Sequence, residues 1–402
     1  MVSADDMVRK KVLIFIEDGS FTYDNRVIRE ADALVAAGWD VTIISPKYPD
    51  DPLRKILGPH LRSYHFPKPT GSSAIGHLFE HAVSLMMGSG LALWVFMRHG
   101  FTVFHGCNPM DILWLIALPY KVLRRKYIFD QHDLCPELYL SRGEGGEGGF
   151  FHRVLLSLER ASYRFADVVI TTNESYHETA ITRGGKRPEK VFVVRNGPDI
   201  RKFRRVPPRE GLKSEGETLV GYLGNMNLQD GVDQLLKAAE EIVHYHFRHD
   251  IRFVLVGGGG HQKKLQDMAA NMGLRENVRF TGRLPDPEML ATLCACDICV
   301  QPDPKNPLND KSTMNKVMEY MALGIPVVTY DLKETRVSCG DAAIYSAPND
   351  PTQLAEKIIA LAGDPKTRER MAGLGRKRVE RQLAWEYSVP HLLAAYNTSL
   401  GR

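Results

Sequence analysis

Six cysteines and four tryptophans in 402 residues leave little from which to build a disulfide framework. The thiols, Cys107, Cys135, Cys294, Cys296, Cys299 and Cys339, follow no regular spacing, which excludes a disulfide scaffold and points to a reducing compartment. The C-x-C-x-x-C run they form at 294–299 has no fourth ligand nearby and leads into an apolar strand, so these thiols read as small packing hydrophobes rather than a metal knot. Charge of one sign is also scarce. Lys plus Arg is 52 against 48 Asp plus Glu, a net +4 that argues against nucleic acid as a partner. No apolar run reaches the ~20 residues that span a bilayer. The longest, residues 84–97 (SLMMGSGLALWVFM), predicts a buried or half-buried helix, while the basic cluster Lys121, Arg124, Arg125 and Lys126 leaves a peripheral membrane contact open. Residues 1–10 are polar and lack the apolar centre of a signal peptide, so a cytoplasmic protein is expected.

What the chain has is alternation. Residues 11–16 (KVLIFI) read as a strand, and Val27, Ile28, Ala31, Leu34 and Val35 then form one helical stripe that Gly38 stops. Further strands are predicted at 41–45, 103–105, 127–130, 168–172 and 191–195, with room for a crossover helix between them. The polar stretch through Pro207 and Pro208 to Glu217 reads as a linker. The alternation restarts at 218–223 and continues at 251–256, 278–281, 298–301, 326–330 and 343–345. Two doubly wound parallel α/β units in series are therefore expected, with ligand crevices at the carboxyl ends of their strands and a site between the two faces. The glycine-rich stretch 141–149 reads as a mobile loop.

The chemistry concentrates at 306–328, NPLNDKSTMNKVMEYMALGIPVV. Ser312 or Thr313 is placed to cap a helix whose first turn would present free N–H groups to an anion, with Lys311 and Lys316 beside it. Counted from that start, Glu319 lies roughly 10 Å along the axis, about the reach from a diphosphate to a ribose hydroxyl pair.

This block resembles the donor-binding signature of retaining glycosyltransferases of family four, which have the GT-B fold. The match covers Glu319 and MALGIPVV at 321–328, and the family's first glutamate falls on Lys311. Other landmarks follow in order: Asp18-Gly19-Ser20 and DNRV at 24–27, DQHD at 130–133, NGPD at 196–199, GYLGN at 221–225, VGGGG at 256–260 and FTGRL at 280–284. The resemblance implies two facing Rossmann-like domains: an acceptor-side domain at 1–205, a donor-binding domain at 206–381, and a C-terminal helix at 382–402 that crosses back. It implies that His132 faces the donor sugar and that Lys316 and Glu319 complete the catalytic set. Gly19, Gly224, Asn225, Gly258, Arg283, Lys311, Ser312, Thr313 and Met314 would bind the donor, with Arg26 as a further candidate cation for the diphosphate.

No D-x-D triplet is present to hold a divalent ion on a diphosphate, so no metal and no cofactor are expected. The implied reaction moves a sugar from a nucleoside-diphosphate-sugar, UDP-sugar favoured, to a hydroxyl of a sugar, glycolipid or small molecule. An epimerase of the same architecture would need the donor alone. A non-catalytic nucleotide-sugar-binding subunit would bind the donor without transferring.

Overall fold

The computed structural model describes residues 9–47, 58–68, 74–143 and 145–401. The first eight residues of the polar N-terminal stretch, and Glu144 of the glycine-rich loop, lie outside them. The chain divides into two compact units, one of Met1–Val194 with Val389–Arg402, the other of Arg195–Ser388.

In the first unit seven strands are β1 (Lys10–Ile16), β2 (Trp39–Lys47), β3 (Leu61–Pro67), β4 (Val103–Cys107), β5 (Lys126–Gln131), β6 (Val168–Thr171) and β7 (Val191–Val193). All pair parallel in the order β3-β2-β1-β4-β5-β6-β7. Val12 to Ile16 are buried without a break, as a strand covered on both faces requires. The helices are α1 (Asn25–Ala36), α2 (Ala74–His99), α3 (Trp114–Val122), α4 (Cys135–Ser141), α5 (Phe150–Phe165) and α6 (Glu174–Thr182). Asp24 caps α1 by accepting from the N–H groups of Arg26 and Val27.

The second unit is a six-stranded parallel sheet, β8 (Thr218–Leu223), β9 (Ile251–Val256), β10 (Val278–Gly282), β11 (Ile298–Gln301), β12 (Val327–Tyr330) and β13 (Ala343–Ser346), in the order β10-β9-β8-β11-β12-β13. Its helices are α7 (Val232–Glu240), α8 (Gln262–Asn271), α9 (Asp286–Cys294), α10 (Asn315–Ala322), α11 (Lys333–Cys339), α12 (Pro351–Ala362) and α13 (Pro365–Arg378), and α14 (Trp385–Ser399) carries the chain back to the first unit. In each sheet the order reverses beside the first strand, between β1 and β4 and between β8 and β11. The diverging loops open a crevice there, at the strands' carboxyl ends.

Three sequence expectations change. β3 was not anticipated, because LRSYHFP is a sheet-edge strand whose middle is only half-buried and shows no apolar run. The division between units falls at 194/195 rather than 205/206, because Phe203 is buried in the second unit's core with Ile200 and Val206 against it. The apolar stretch is longer than 84–97: it belongs to α2, whose Glu80–His99 segment of 20 residues is long and apolar enough to cross a bilayer, and it is half-buried as expected, through Ser84, Ala92 and Val95 on one face with the opposite face open. All six thiols are buried. Those of Cys296 and Cys299 press on Gly221, where a Cβ would stand 2.6 and 3.1 Å from the two sulfurs.

Candidate functional site

At the crevice of the second unit, loops from three strands are laced backbone to backbone. Gly224 N–H donates to Val256 O at 3.1 Å, Met226 N–H to Gly258 O at 3.1 Å, and the Asn309 amide donates to the carbonyls of Gln229 and Pro304 at 3.0 and 2.9 Å. Glycine is compulsory at two points. Gly231 has φ +68° and a Cβ there would lie 2.1 Å from Pro302 O, and at Gly257, with φ +133°, one would lie 1.9 Å from Gly224 O.

Into this frame α10 projects Lys316. Its Nζ lies 2.8 and 3.1 Å from the carboxylate oxygens of Asp303, 3.5 Å from the Tyr222 hydroxyl, and 4.9 Å from the Tyr222 ring centroid. Asp303 is buried and also accepts from the Gln301 amide at 2.8 Å. Burial works against the charge of Lys316, but Asp303, then Tyr222 and Asp230, outweigh it and raise its pKa. An ammonium carries three N–H donors. Asp303 takes the two short contacts, and the third, at 3.5 Å to the Tyr222 hydroxyl, is the weakest of the three and the one a ligand oxygen would displace most easily. The Tyr222 hydroxyl itself donates to Asn225 O at 2.6 Å.

The helix begins later than expected. α10 starts at Asn315 with Met314 as its N-cap and no side-chain cap. Ser312 instead donates to Leu308 O at 2.8 Å, and Asn306 accepts the N–H groups of Leu308 and Asn309, so these polar residues close turns rather than a helix end. Glu319, half-buried, is then only about 6 Å along the axis from the first residue, not roughly 10 Å. Lys311 and Thr313 lie half-buried in the turn before the helix. The carboxamide oxygen of Asn315 is buried with no hydrogen-bond partner among the described residues. Asn225 and Arg283 are exposed on the neighbouring loops, and Arg283 Cγ lies against Gly258. Every predicted donor residue except Gly19 lies in the second unit.

Gly19 and His132 belong to the first unit. Gly19, at φ +91°, follows β1 in a loop held by Lys68, whose ammonium reaches Asp18 at 2.9 Å, Glu80 at 3.3 Å and Glu17 at 3.6 Å. Glu17 also contacts His81 Nδ1 at 2.9 Å, and that hydrogen bond raises the pKa of His81. His132 follows β5, and its Nε2 lies 2.7 Å from Asp130 while Nδ1 makes no hydrogen bond among the described residues. Burial opposes a charged His132, yet Asp130 prevails and raises its pKa. The result is an imidazole able to carry a proton on a nitrogen that has no partner among the described residues.

Arg26 is not a phosphate ligand. It is buried, binds Asp130 through Nε at 3.2 Å and Nη2 at 2.8 Å, and donates to Val194 O at 2.7 Å. Its Nη2 stands 3.1 Å from Glu30, which lacks hydrogen-bond geometry on either oxygen. Two buried carboxylates face one guanidinium. Asp130, held by Arg26 and His132 despite its burial, is driven well below the usual range, while burial pushes Glu30 up to about 7 from 4.5. His105 stands within this network, its Nδ1 2.7 Å from the Tyr396 hydroxyl of α14 and its Nε2 3.4 Å from Asp130. His105, Cys107 and Asp130 bring one ligand atom each within 4.8 Å of one another. The Arg26 cation bound to Asp130 occupies and repels at that point, so these residues fit a core network better than a cation site.

Glu30 makes stability pH-dependent in a stated direction. The unfolded carboxylate ionises near 4.5 and the folded one near 7, so the folded state binds the extra proton and stability falls as pH rises between them. Glu30→Gln is expected to remove that fall and to be more stable than wild type above pH 7, on the order of 2 kcal/mol. Urea denaturation across pH 4.5–8 checks it; parallel curves for the two proteins would refute the assignment.

Sequence reasoning missed Asp303 as the partner of Lys316, and missed Glu17, Lys68 and His81. Asp303 was legible only as a loop charge, and Lys68 shows no motif.

Two doubly wound units with glycine-lined crevices at their strand ends define the GT-B class. Solved structures agree: sucrose-phosphate synthase from Thermosynechococcus elongatus is similar at TM-score 0.78 and 20% identity, covering 98% of this chain and 100% of that one. Anabaena Alr3699/HepE in complex with UDP is similar at TM-score 0.73 and 19% identity, covering 96% and 100%. The family models "Glycosyltransferase Family 4" and "Glycosyl transferases group 1" match residues 24–202 and 217–364, and the chain belongs to this glycosyltransferase family. A curated relative, glycogen synthase of Mycobacterium tuberculosis, is 26% identical over 278 residues, 68% of this chain and 64% of its own length. The match thus spans just under two thirds of that relative.

Proposed function

We propose that the protein is a metal-independent glycosyltransferase that moves a sugar from a nucleoside-diphosphate-sugar to an acceptor hydroxyl with retention of configuration. The observation that carries this is the start of α10, which has no side-chain cap and stands beside the mostly buried ammonium of Lys316, held by Asp303 and only weakly by Tyr222, in the crevice of the second unit. Helix N–H groups and Lys316 would receive the departing diphosphate, and Asn315 Oδ1 supplies an acceptor nearby. Glu319 would accept from ribose hydroxyls and the loops at Gly258 and Arg283 would seat the base. A UDP-sugar is favoured, in keeping with the UDP bound in the Anabaena neighbour. In the first unit, His132 would hydrogen-bond the sugar. The protein's contribution is position and charge stabilisation, with no enzymic nucleophile. Polysaccharide, glycolipid and glycosylated small molecules are the product classes that fit.

Screening UDP-, GDP- and ADP-sugars by thermal shift tests this, since a donor at about 100 times its Kd adds about 2.7 kcal/mol to stability. Glu319→Ala should cut donor affinity at least about tenfold, the loss of a charged hydrogen bond; unchanged affinity removes it from the ribose site. Product formed from donor without acceptor would point to an epimerase instead. Donor binding with no transfer to any acceptor would leave a binding subunit.

A further inference from the structure

α2 is long and apolar enough, by length and composition, to cross a bilayer, yet it lies on a sheet. Ser84, Ala92 and Val95 are buried, and Gly88 admits the Phe15 ring so closely that a Cβ there would meet it at 2.4 Å. These positions, spaced by three or four, form the stripe that packs. The opposite stripe is also apolar: Met86, Leu93, Trp94 and Met97 are exposed, Met97 at 71%. A helix apolar on both faces has one face too many for a soluble surface.

Its neighbour repeats the pattern. Crossovers from β3 to β4, β4 to β5 and β5 to β6 all run the same way along the sheet, and right-handed connections place α2, α3 and α5 on one face. One core there contains Ala92, Ala117 and Tyr163, from the three helices in turn. The Phe96 ring of α2 lies 5.2 Å from the Tyr120 ring of α3, so the two helices are in contact. On its outer side α3 exposes Leu118 and, at 79%, Val122.

The charge around this surface has one sign. Between residues 81 and 126 the sole acidic residue is Asp111, which is buried, whereas Arg98, Lys121, Arg124, Arg125 and Lys126 cluster at the C-terminal ends of α2 and α3. Beside them opens a cavity of about 760 Å³ lined by Lys126, Arg160, Arg164, Lys186, Arg187 and Lys190 among others, with Asp167 as its acidic residue. Burial and the surrounding cations lower the Lys186 pKa to about 8, which accords with surplus positive charge there.

We propose that the outer face of α2 and α3 lies on a lipid bilayer containing anionic phospholipid, the apolar stripe entering the acyl boundary and the adjoining basic cavity receiving a phosphate headgroup. Apolar contact and charge together supply the two signals that stable peripheral binding needs. This inference does not depend on the transferase reading, and it makes a membrane-borne acceptor the one this surface would serve.

Co-sedimentation of the full chain with phosphatidylcholine vesicles, with and without phosphatidylglycerol, tests the proposal. Binding is expected to the phosphatidylglycerol vesicles and at least about tenfold weaker to phosphatidylcholine alone or at high salt. Leu93→Glu with Met97→Glu, and separately Arg160→Glu with Arg164→Glu, should each reduce it at least about tenfold. All four side chains are exposed, so the melting temperature should hold. Failure to sediment with anionic vesicles, or variants that bind like wild type, would overturn the proposal. So would a concentration-dependent dimer abolished by Leu93→Glu with Met97→Glu, since a second copy would then cover the face. Inorganic phosphate that raises the melting temperature of a chain that ignores vesicles would reassign the cavity to a free anion and equally overturn it.

Discussion

Lys316→Met is expected to lower transfer at least about 100-fold, the scale set by loss of one positioned donor to a developing charge. It should also destabilise the protein by about 3–5 kcal/mol, because removing one partner of a buried ion pair strands the other. The stranded group is Asp303, which would keep only the Gln301 amide at 2.8 Å. The two effects separate in the double variant Lys316→Met with Asp303→Leu. With both charges gone the desolvation penalty goes too, and stability should return close to wild type. Turnover should not return. Guanidinium denaturation and steady-state kinetics on the two proteins decide the matter: wild-type turnover in the single variant would remove Lys316 from the site. A double variant as unstable as the single one would show that the stranded carboxylate is not the cause.

That pair also shows where the sequence stops informing. Asp303 and Lys316 are 13 positions apart across a loop whose fold, laced by Asn309 to Gln229 and Pro304, brings them together. The strands of both sheets were legible because central parallel strands are buried on both sides and read as unbroken apolar runs, as Val12–Ile16 does. β3 at the sheet edge carries no such run, and its residues Arg62 to His65 are half-exposed. The start of α10 was misread for a local reason. Asn306, Asp310 and Ser312 are the residue types that cap helices, but here Asn306 caps a turn and Asp310 accepts the N–H of Lys333 at 2.8 Å. The same side chains close either structure, and composition does not distinguish them. In the first unit the network of Arg26, Asp130, Glu30 and His105 draws on α1, β4 and β5, so no spacing announces it. Arg26 looked like a cation for phosphate because its two carboxylates are 4 and 104 positions away.

The second large effect concerns that arginine. Arg26→Met should cost about 3–5 kcal/mol at neutral pH, since Asp130, fully buried, would lose a two-bond partner and keep its charge. The sign of its pH dependence follows from the depressed pKa of Asp130. A carboxyl held below its ordinary value stabilises the fold above that value and loses the contribution as pH falls, so the gap between wild type and Arg26→Met should narrow toward acid. Arg26→Met with Asp130→Asn should recover most of the loss, because the buried charge is then absent. A readout apart from stability is the imidazole of His132. The Arg26 cation opposes its protonation, and Asp130, freed of Arg26, would lean on the His132 Nε2 at 2.7 Å and, more weakly, on His105 at 3.4 Å. The His132 pKa, followed by NMR, should therefore rise in Arg26→Met and fall in the double variant. If His132 hydrogen-bonds the donor sugar as proposed, the alkaline limb of the pH–rate profile will shift with it. An unmoved His132 titration would mean that Arg26 and His132 do not share Asp130 in solution, and the network would lose its link to the site.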